Sequence, residues 1–192
     1  MKPIILISGQ QGSGKTSTMK ALSRAIQDSG AFAVQEVAFA DPLYAMHWQC
    51  LQILKYNGIE TPEKDGPLLQ LLGTEWGRKQ YGDDIWVNIA RNRIQMAQDK
   101  TLTIISDCRF PNEADAFPGA LKYRLECPEE VRKERILSTP GQNWRENTNH
   151  PSEVALNDYK GWTNTFDTET TTTAQIVQQI LGEIGYVYGP NH

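Results

Sequence analysis

Residues 3–16 read Pro-Ile-Ile-Leu-Ile-Ser-Gly-Gln-Gln-Gly-Ser-Gly-Lys-Thr. The segment from Gly9 to Thr16 satisfies G-x-x-x-x-G-K-[ST] at every position. Chance would place that pattern in well under about 1% of chains of this length. An apolar, β-branched run from Pro3 to Ser8 precedes it and reads as a buried parallel strand. Met19, Leu22 and Ile26 then recur at helical spacing until Gly30 ends the pattern. A strand, a glycine-rich turn and a helix in that order form a cradle for phosphate. Gly9, Gly12 and Gly14 let the backbone N–H groups turn inward, and Gln11 and Ser13 complete the loop. Lys15 would reach the β- and γ-phosphates, and Thr16 would place its hydroxyl on Mg²⁺. The helix N-terminus favours the same anion. The expected ligands are therefore a nucleotide and Mg²⁺.

The rest of the chain continues the alternation. Val34 to Phe39 reads as a second strand, and the pattern from Asp41 to Lys100 is helical. Leu68, Leu72 and Trp76 would share one helix face, as would Trp86, Ala90, Ile94 and Ala97. Leu102 to Ser106 and Leu121 to Cys127 are further strands. Pro128 opens a helix with Glu129 and Glu130 in its first turn. Residues 138–151 are polar and read as a mobile surface loop. Ile176, Val177, Ile180, Leu181 and Ile184 predict a C-terminal docking helix, with its N-cap near Thr170 to Thr173. The fold class expected is α/β: a parallel sheet flanked by helices.

Composition limits the partners. Nineteen Lys and Arg against 23 Asp and Glu give a net charge of −4. An acidic average speaks against a nucleic-acid polymer or a membrane surface as partner. Cys50, Cys108 and Cys127 are odd in number and widely spaced, which suits a reducing cytoplasm and makes no metal knuckle. The run Ile4–Ile7 is too short for a membrane span or a signal-peptide core. The expected location is the cytoplasm.

Asp107-Cys108-Arg109 follows the Leu102–Ser106 strand. An acidic group there would hold the Mg²⁺ hydration shell beside the phosphate loop, and Arg109 could grip an acceptor phosphate with two parallel bonds. The plainer alternative is a capping Asp and a surface Arg. Arg132, Lys133, Arg135 and Arg145 surround the polar loop. They suit a lid closing over phosphates, or else a solvated face balanced by Glu129, Glu130 and Glu134.

With these residues in place, the chain resembles the phage-type deoxynucleoside monophosphate kinases, within the P-loop nucleoside monophosphate kinase superfamily. The matches are the phosphate loop, Ala40-Asp41-Pro42-Leu43, Leu72-Gly73-Thr74-Glu75 … Asp84-Ile85-Trp86-Val87, Asp107-Cys108-Arg109 … Glu113-Ala114, and His150-Pro151-Ser152-Glu153. The resemblance implies one P-loop kinase domain over residues 1–192, with its core in 1–40 and 101–192, a helical acceptor-binding insertion over about 41–100 and a lid over about 132–152. It implies transfer of the ATP γ-phosphate to a deoxynucleoside monophosphate, giving the diphosphate for DNA synthesis. It implies that Asp41, Leu43 and Tyr44 line the acceptor pocket. Thr74, Trp76 and Arg78 would approach the acceptor's base or phosphate, and His150 and Glu153 would steady the lid or the sugar. Thr163 and Asn164 would lie near the adenine of ATP. Lys15, Asp107, Arg109, Arg132 and Arg135 would form the catalytic set, with Arg145 on the substrate. If the chain is phage-encoded, the compartment is the host cytoplasm. The family often forms dimers, so a homodimer stays open. Trp86 is read as core from its spacing with Ala90 and Ile94.

Alternatives remain. One is a P-loop kinase of another small phosphorylated metabolite, phosphomevalonate-like, or of a sugar or shikimate. Another is a nucleotide-binding switch: Asp158-Tyr159-Lys160-Gly161 matches D-x-x-G, but no N-K-x-D motif occurs anywhere. A packaging or transport ATPase would need a longer chain.

Overall fold

The computed structural model describes residues 2–141, 143–144 and 151–188. The chain divides into two compact units. One comprises Met1–Glu36 with Ala97–His192, and the other comprises Val37–Met96.

The first unit holds a five-stranded sheet in the order β2-β3-β1-β4-β5. Its strands are β1 (Ile4–Gly9), β2 (Ala33–Val37), β3 (Thr101–Cys108), β4 (Leu121–Glu126) and β5 (Asn164–Asp167). β1 pairs in parallel with β3 and with β4, and β4 pairs in parallel with β5. β1 is central, which is why Ile5, Leu6 and Ile7 are fully buried: helices and chain cover both faces. The β1/β3 register slips between Leu6 and Ser8, so that Ser8 faces Cys108. β3 therefore runs past the expected Ser106 and carries Asp107 inside the strand.

One sheet face packs on α1 (Lys15–Ser29) and α9 (Thr173–Tyr188). Leu22 and Ile26 of α1 join Ile176, Ile180 and Ile184 of α9 in one cluster with Ile5, Ile7, Ile104 and Tyr123. The helical spacing of those apolar residues is what aims them inward. Thr172 starts α9 with a reciprocal cap: the Gln175 N–H donates to its Oγ1 at 3.3 Å, and its own N–H donates to Gln175 Oε1 at 3.0 Å. α7 (Glu129–Leu137) follows Pro128, with α6 (Pro111–Asp115) and α8 (Pro151–Val154) as short turns. Among the described residues, no helix is long and apolar enough to cross a membrane.

The second unit is helical: α2 (Asp41–Tyr56), α3 (Gly66–Gln70), a π-helix (Leu71–Arg78), α4 (Lys79–Tyr81) and α5 (Ile85–Met96). Trp86, Ala90 and Ile94 are buried together on α5, in keeping with their spacing. The expected face of Leu68, Leu72 and Trp76 is not kept, because the π-helix winds wider than 3.6 residues per turn. Leu68 and Leu72 are half-buried, while Trp76 is exposed. Trp86 organises that turn. Its indole N–H donates to the Gly73 carbonyl at 3.1 Å, and a Cβ on Gly77 would stand 2.1 Å from its Cζ2.

Candidate functional site

The loop between β1 and α1 is shaped by close approaches. A Cβ at Gly9 would stand 2.4 Å from Ser13 Oγ and 2.6 Å from the Leu125 carbonyl. Gly12 has φ 79°, and a Cβ there would meet the Arg132 carbonyl at 2.8 Å. Only glycine allows both the left-handed turn and that proximity. Gly14, at φ 91°, leads into the first turn of α1, where Thr18 N–H donates to its carbonyl at 2.9 Å. Ser13 Oγ is buried without a hydrogen-bond partner, which marks a place where a ligand oxygen would be accommodated. Gln11 sits beside it, its Nε2 donating to the Asn143 carbonyl at 3.2 Å.

Lys15 Nζ donates to the carbonyls of Gly9 at 2.6 Å and Gln10 at 2.8 Å. Burial lowers its pKa to about 8, assisted by the Arg109 and Arg124 charges and opposed by Glu153 and Asp107. A phosphate brought here would restore the ammonium. Thr16 is exposed at the start of α1. Among the described residues, no group of three or more His, Cys, Asp or Glu side chains is arranged to hold a metal. Mg²⁺ carried in on phosphates draws most of its six oxygens from phosphate and water, so a hydroxyl and a carboxylate suffice on the protein side. Thr16 and Asp107 are the residues that would hold it.

Arg132 and Arg135 leave α7 in different directions. Arg132 is buried, and donates through Nη1 to the Gln11 carbonyl and through Nε to the Cys127 carbonyl, both at 3.1 Å. Its guanidinium lies 5.5 Å from the Trp144 ring centroid. Arg135 instead donates to Thr168 Oγ1 at 3.1 Å and to the Thr168 carbonyl at 2.7 Å, just beyond β5. Thr163 pairs with β4, donating its N–H to the Lys122 carbonyl at 2.7 Å. Asn164 opens β5 with its side chain accepting from Thr165 N–H at 2.8 Å. Arg145 and His150 lie outside the described residues.

Asp107 and Arg109 flank Cys108 at the end of β3. The Arg109 backbone N–H donates to Glu113 Oε2 at 2.8 Å, and Phe110 N–H donates to the same oxygen at 3.1 Å. Buried Glu113 thus fixes the strand end that aims Arg109. Arg109 Nη1 donates to Glu153 Oε1 at 3.1 Å, and Gln10 Nε2 donates to the Glu153 carbonyl at 3.4 Å.

Buried Arg124, on β4, donates to Ser8 Oγ at 3.1 Å and to Asn157 Oδ1 at 3.2 Å. Ser8 Oγ in turn donates to the Cys108 carbonyl at 2.9 Å. Burial holds the Arg124 pKa below the usual arginine value. A cleft of about 520 Å³ is lined by Gln10, Ser13, Arg124, Arg132, Asn157 and Asp167, among others. Sequence reasoning missed Gln10, Glu113, Arg124 and Asn157. A signal was present for Arg124. Lys122 and Arg124 alternate with Tyr123 and Leu125, and charges at that spacing on an inner strand need buried polar company.

The other expected acceptor residues lie in the second unit. Asp41 accepts from the Ala38 N–H at 3.1 Å and pairs with Arg93 at 2.8 Å. Leu43 packs on Gly73. Tyr44 OH accepts from Lys64 Nζ at 2.7 Å. Thr74 is exposed. Trp76 meets Tyr81 edge to face with centroids 5.1 Å apart, and Arg78 Nη1 donates to the Asp83 carbonyl at 3.2 Å.

No family model matches the chain, and no curated protein matches it. Solved structures do. The tunicamycin resistance protein of Deinococcus radiodurans superposes with a TM-score of 0.58 at 18% identity, over 96% of each chain. A sugar kinase from a Janibacter species gives 0.54 at 15%, over 98% of this chain and 97% of that one. Shikimate kinase from Acinetobacter baumannii gives 0.51 at 15%, over 98% and 96%. The fold is thus that of the P-loop kinases: a five-stranded parallel sheet flanked by helices, with the phosphate loop after its first strand.

Proposed function

We propose that the protein transfers the γ-phosphoryl group of ATP to the phosphate of a deoxynucleoside monophosphate. The observation that carries this reading is the gathering of Lys15, Arg109, Arg124 and Arg132 around one glycine loop with an unpartnered buried Ser13 hydroxyl. Cations that would repel one another are collected there despite an acidic average. The acceptor class rests on the resemblance of the Gly73-Thr74-Glu75 and Pro151-Ser152-Glu153 segments.

In the reaction an acceptor phosphate oxygen forms a bond to the γ-phosphorus as the β–γ bridging P–O bond breaks, and ADP leaves with the electron pair. The acceptor is already an oxyanion at neutral pH, so no general base is required. Lys15 holds the β- and γ-oxygens, Arg109 orients the acceptor phosphate, and Arg132 stiffens the loop through Gln11. Arg135 would act from the far end of α7. Thr16 and Asp107 would hold Mg²⁺, which would supply further neutralisation of the phosphate charge. The partners are small nucleotides in the cytoplasm, and no nucleic-acid polymer or membrane is involved.

The test is a panel of deoxy- and ribonucleoside monophosphates with MgATP, read as ADP release. Activity on none of them would sink the acceptor class. A second reading, a kinase of another small metabolite, is favoured by the likeness to a sugar kinase and to shikimate kinase. The same assay with sugars, shikimate and phosphomevalonate decides between the two.

A further inference from the structure

Glu153 follows the polar loop on the short turn α8, yet it is tied twice to the phosphate site. Its carboxylate takes the Arg109 guanidinium at 3.1 Å, and its carbonyl takes the Gln10 side chain at 3.4 Å. The pair is not deeply buried, with the Arg109 side chain 43% exposed and that of Glu153 22% exposed. Such a bond is cheap to break. Its surroundings are strongly positive, since Lys15 and Arg124 both act on the same loop. A carboxylate held here has the charge sign and the two-oxygen geometry of one face of a phosphate.

We propose that Glu153 is a specificity-determining residue, an internal counter-ion on Arg109 that a phosphate dianion displaces and a carboxylate monoanion does not. The inference rests on the reading that Arg109 receives the acceptor phosphate. A ligand carboxylate would replace one single charge with another and gain nothing. A phosphate monoester brings a second negative charge and a third terminal oxygen, so it wins the exchange. Once displaced, Glu153 loses its hold on Arg109, while Asn157, three residues past the end of α8, stays bonded to Arg124 at 3.2 Å.

The test measures inorganic phosphate binding by calorimetry to the full-length wild type and to Glu153→Gln, Arg109→Ala and the double variant. Acetate serves as competitor. Glu153→Gln keeps the shape and removes the charge. It should tighten phosphate binding about fivefold, the scale of one exposed ion pair, and should make acetate an effective competitor. In the Arg109→Ala background the same substitution should have a clearly smaller effect, limited to the Glu153 charge felt by Lys15. Glu153→Asp retains the charge and should stay resistant to acetate, which keeps the test decisive if Glu153→Gln fails to fold. Phosphate affinity in Glu153→Gln that is unchanged or weaker, or a gain just as large without Arg109, would overturn the proposal. The probe is inorganic phosphate, so the outcome is separable from the substrate panel. Wild-type protein inactive on every nucleotide would remove the dNMP reading, whereas an unaltered phosphate affinity would remove this one.

Discussion

The two units hold their cations differently. Around the phosphate loop, Lys15 and Arg132 bond the backbone carbonyls of Gly9, Gln10, Gln11 and Cys127, while Arg109 and Arg124 bond the side chains of Glu153, Ser8 and Asn157. In Val37–Met96 the cations mostly meet other side chains at the surface, as in Lys64–Tyr44, Lys79–Glu75 and Arg93–Asp41. A carbonyl in a closed loop cannot rotate away, so the first arrangement stands ready before a ligand arrives. The second can re-form around ligands of different shape. Aromatics differ less sharply: Tyr44, Trp48, Trp76 and Tyr81 are exposed in the second unit although Trp86 is buried there, whereas Tyr123 and Phe166 are buried in the first.

The largest effect expected is that of Lys15→Ala, which should abolish turnover, a loss of roughly 10³-fold or more in the ADP-release assay. Appreciable residual turnover would break the contrast at its strongest point. Next comes Arg132→Ala, which leaves the Gln11 and Cys127 carbonyls without their donor and should cost about 3 kcal/mol in urea unfolding. Gly77→Ala asks whether the second unit has a rigid spine of its own. The new methyl would collide with Trp86, and a loss of about 2 kcal/mol is expected.

The pH dependence is smaller again. Lys15 titrates at about 8 without ligand, and phosphate binding raises that value. ATP binding should therefore take up a proton above pH 8, and affinity should fall by up to about tenfold between about pH 8 and 9. Calorimetry in buffers of different ionisation enthalpy reads both quantities. Arg93→Ala should be the mildest change, within about 0.5 kcal/mol, because its partner Asp41 is equally exposed. A loss as large as that of Arg132→Ala would erase the distinction between the units.

What could be read from the chain follows from how local each cause is. The phosphate loop, its strand and its helix depend on neighbours within a few residues, and so do the apolar stripes of α5 and α9. Arg132 and Arg135 look alike in sequence, three residues apart on one charged helix. They part company only because one faces Gln11 and the other Thr168, positions 121 and 33 residues away. Arg124 needs Ser8, at a separation of 116 residues, before its burial makes sense. The π-helix is similarly hidden, since its winding accompanies Trp86 from α5. Glu113 was quoted as part of a motif, but its carboxylate acts on backbone N–H groups that no residue pattern displays.

The packing of Gly12 on Arg132 has a consequence for how the protein is made. The loop's sequence leaves the ribosome some 120 residues ahead of the helix that packs against it. Synthesis at about 5–20 residues per second leaves the loop waiting for several seconds or more. During that interval β1 also lacks β3 and β4, its two neighbours, so an apolar strand and its phosphate loop remain unpaired. A nascent chain of this design is a natural client for chaperones until its second half emerges. ATP should act as a folding ligand only after α7 is free of the exit tunnel.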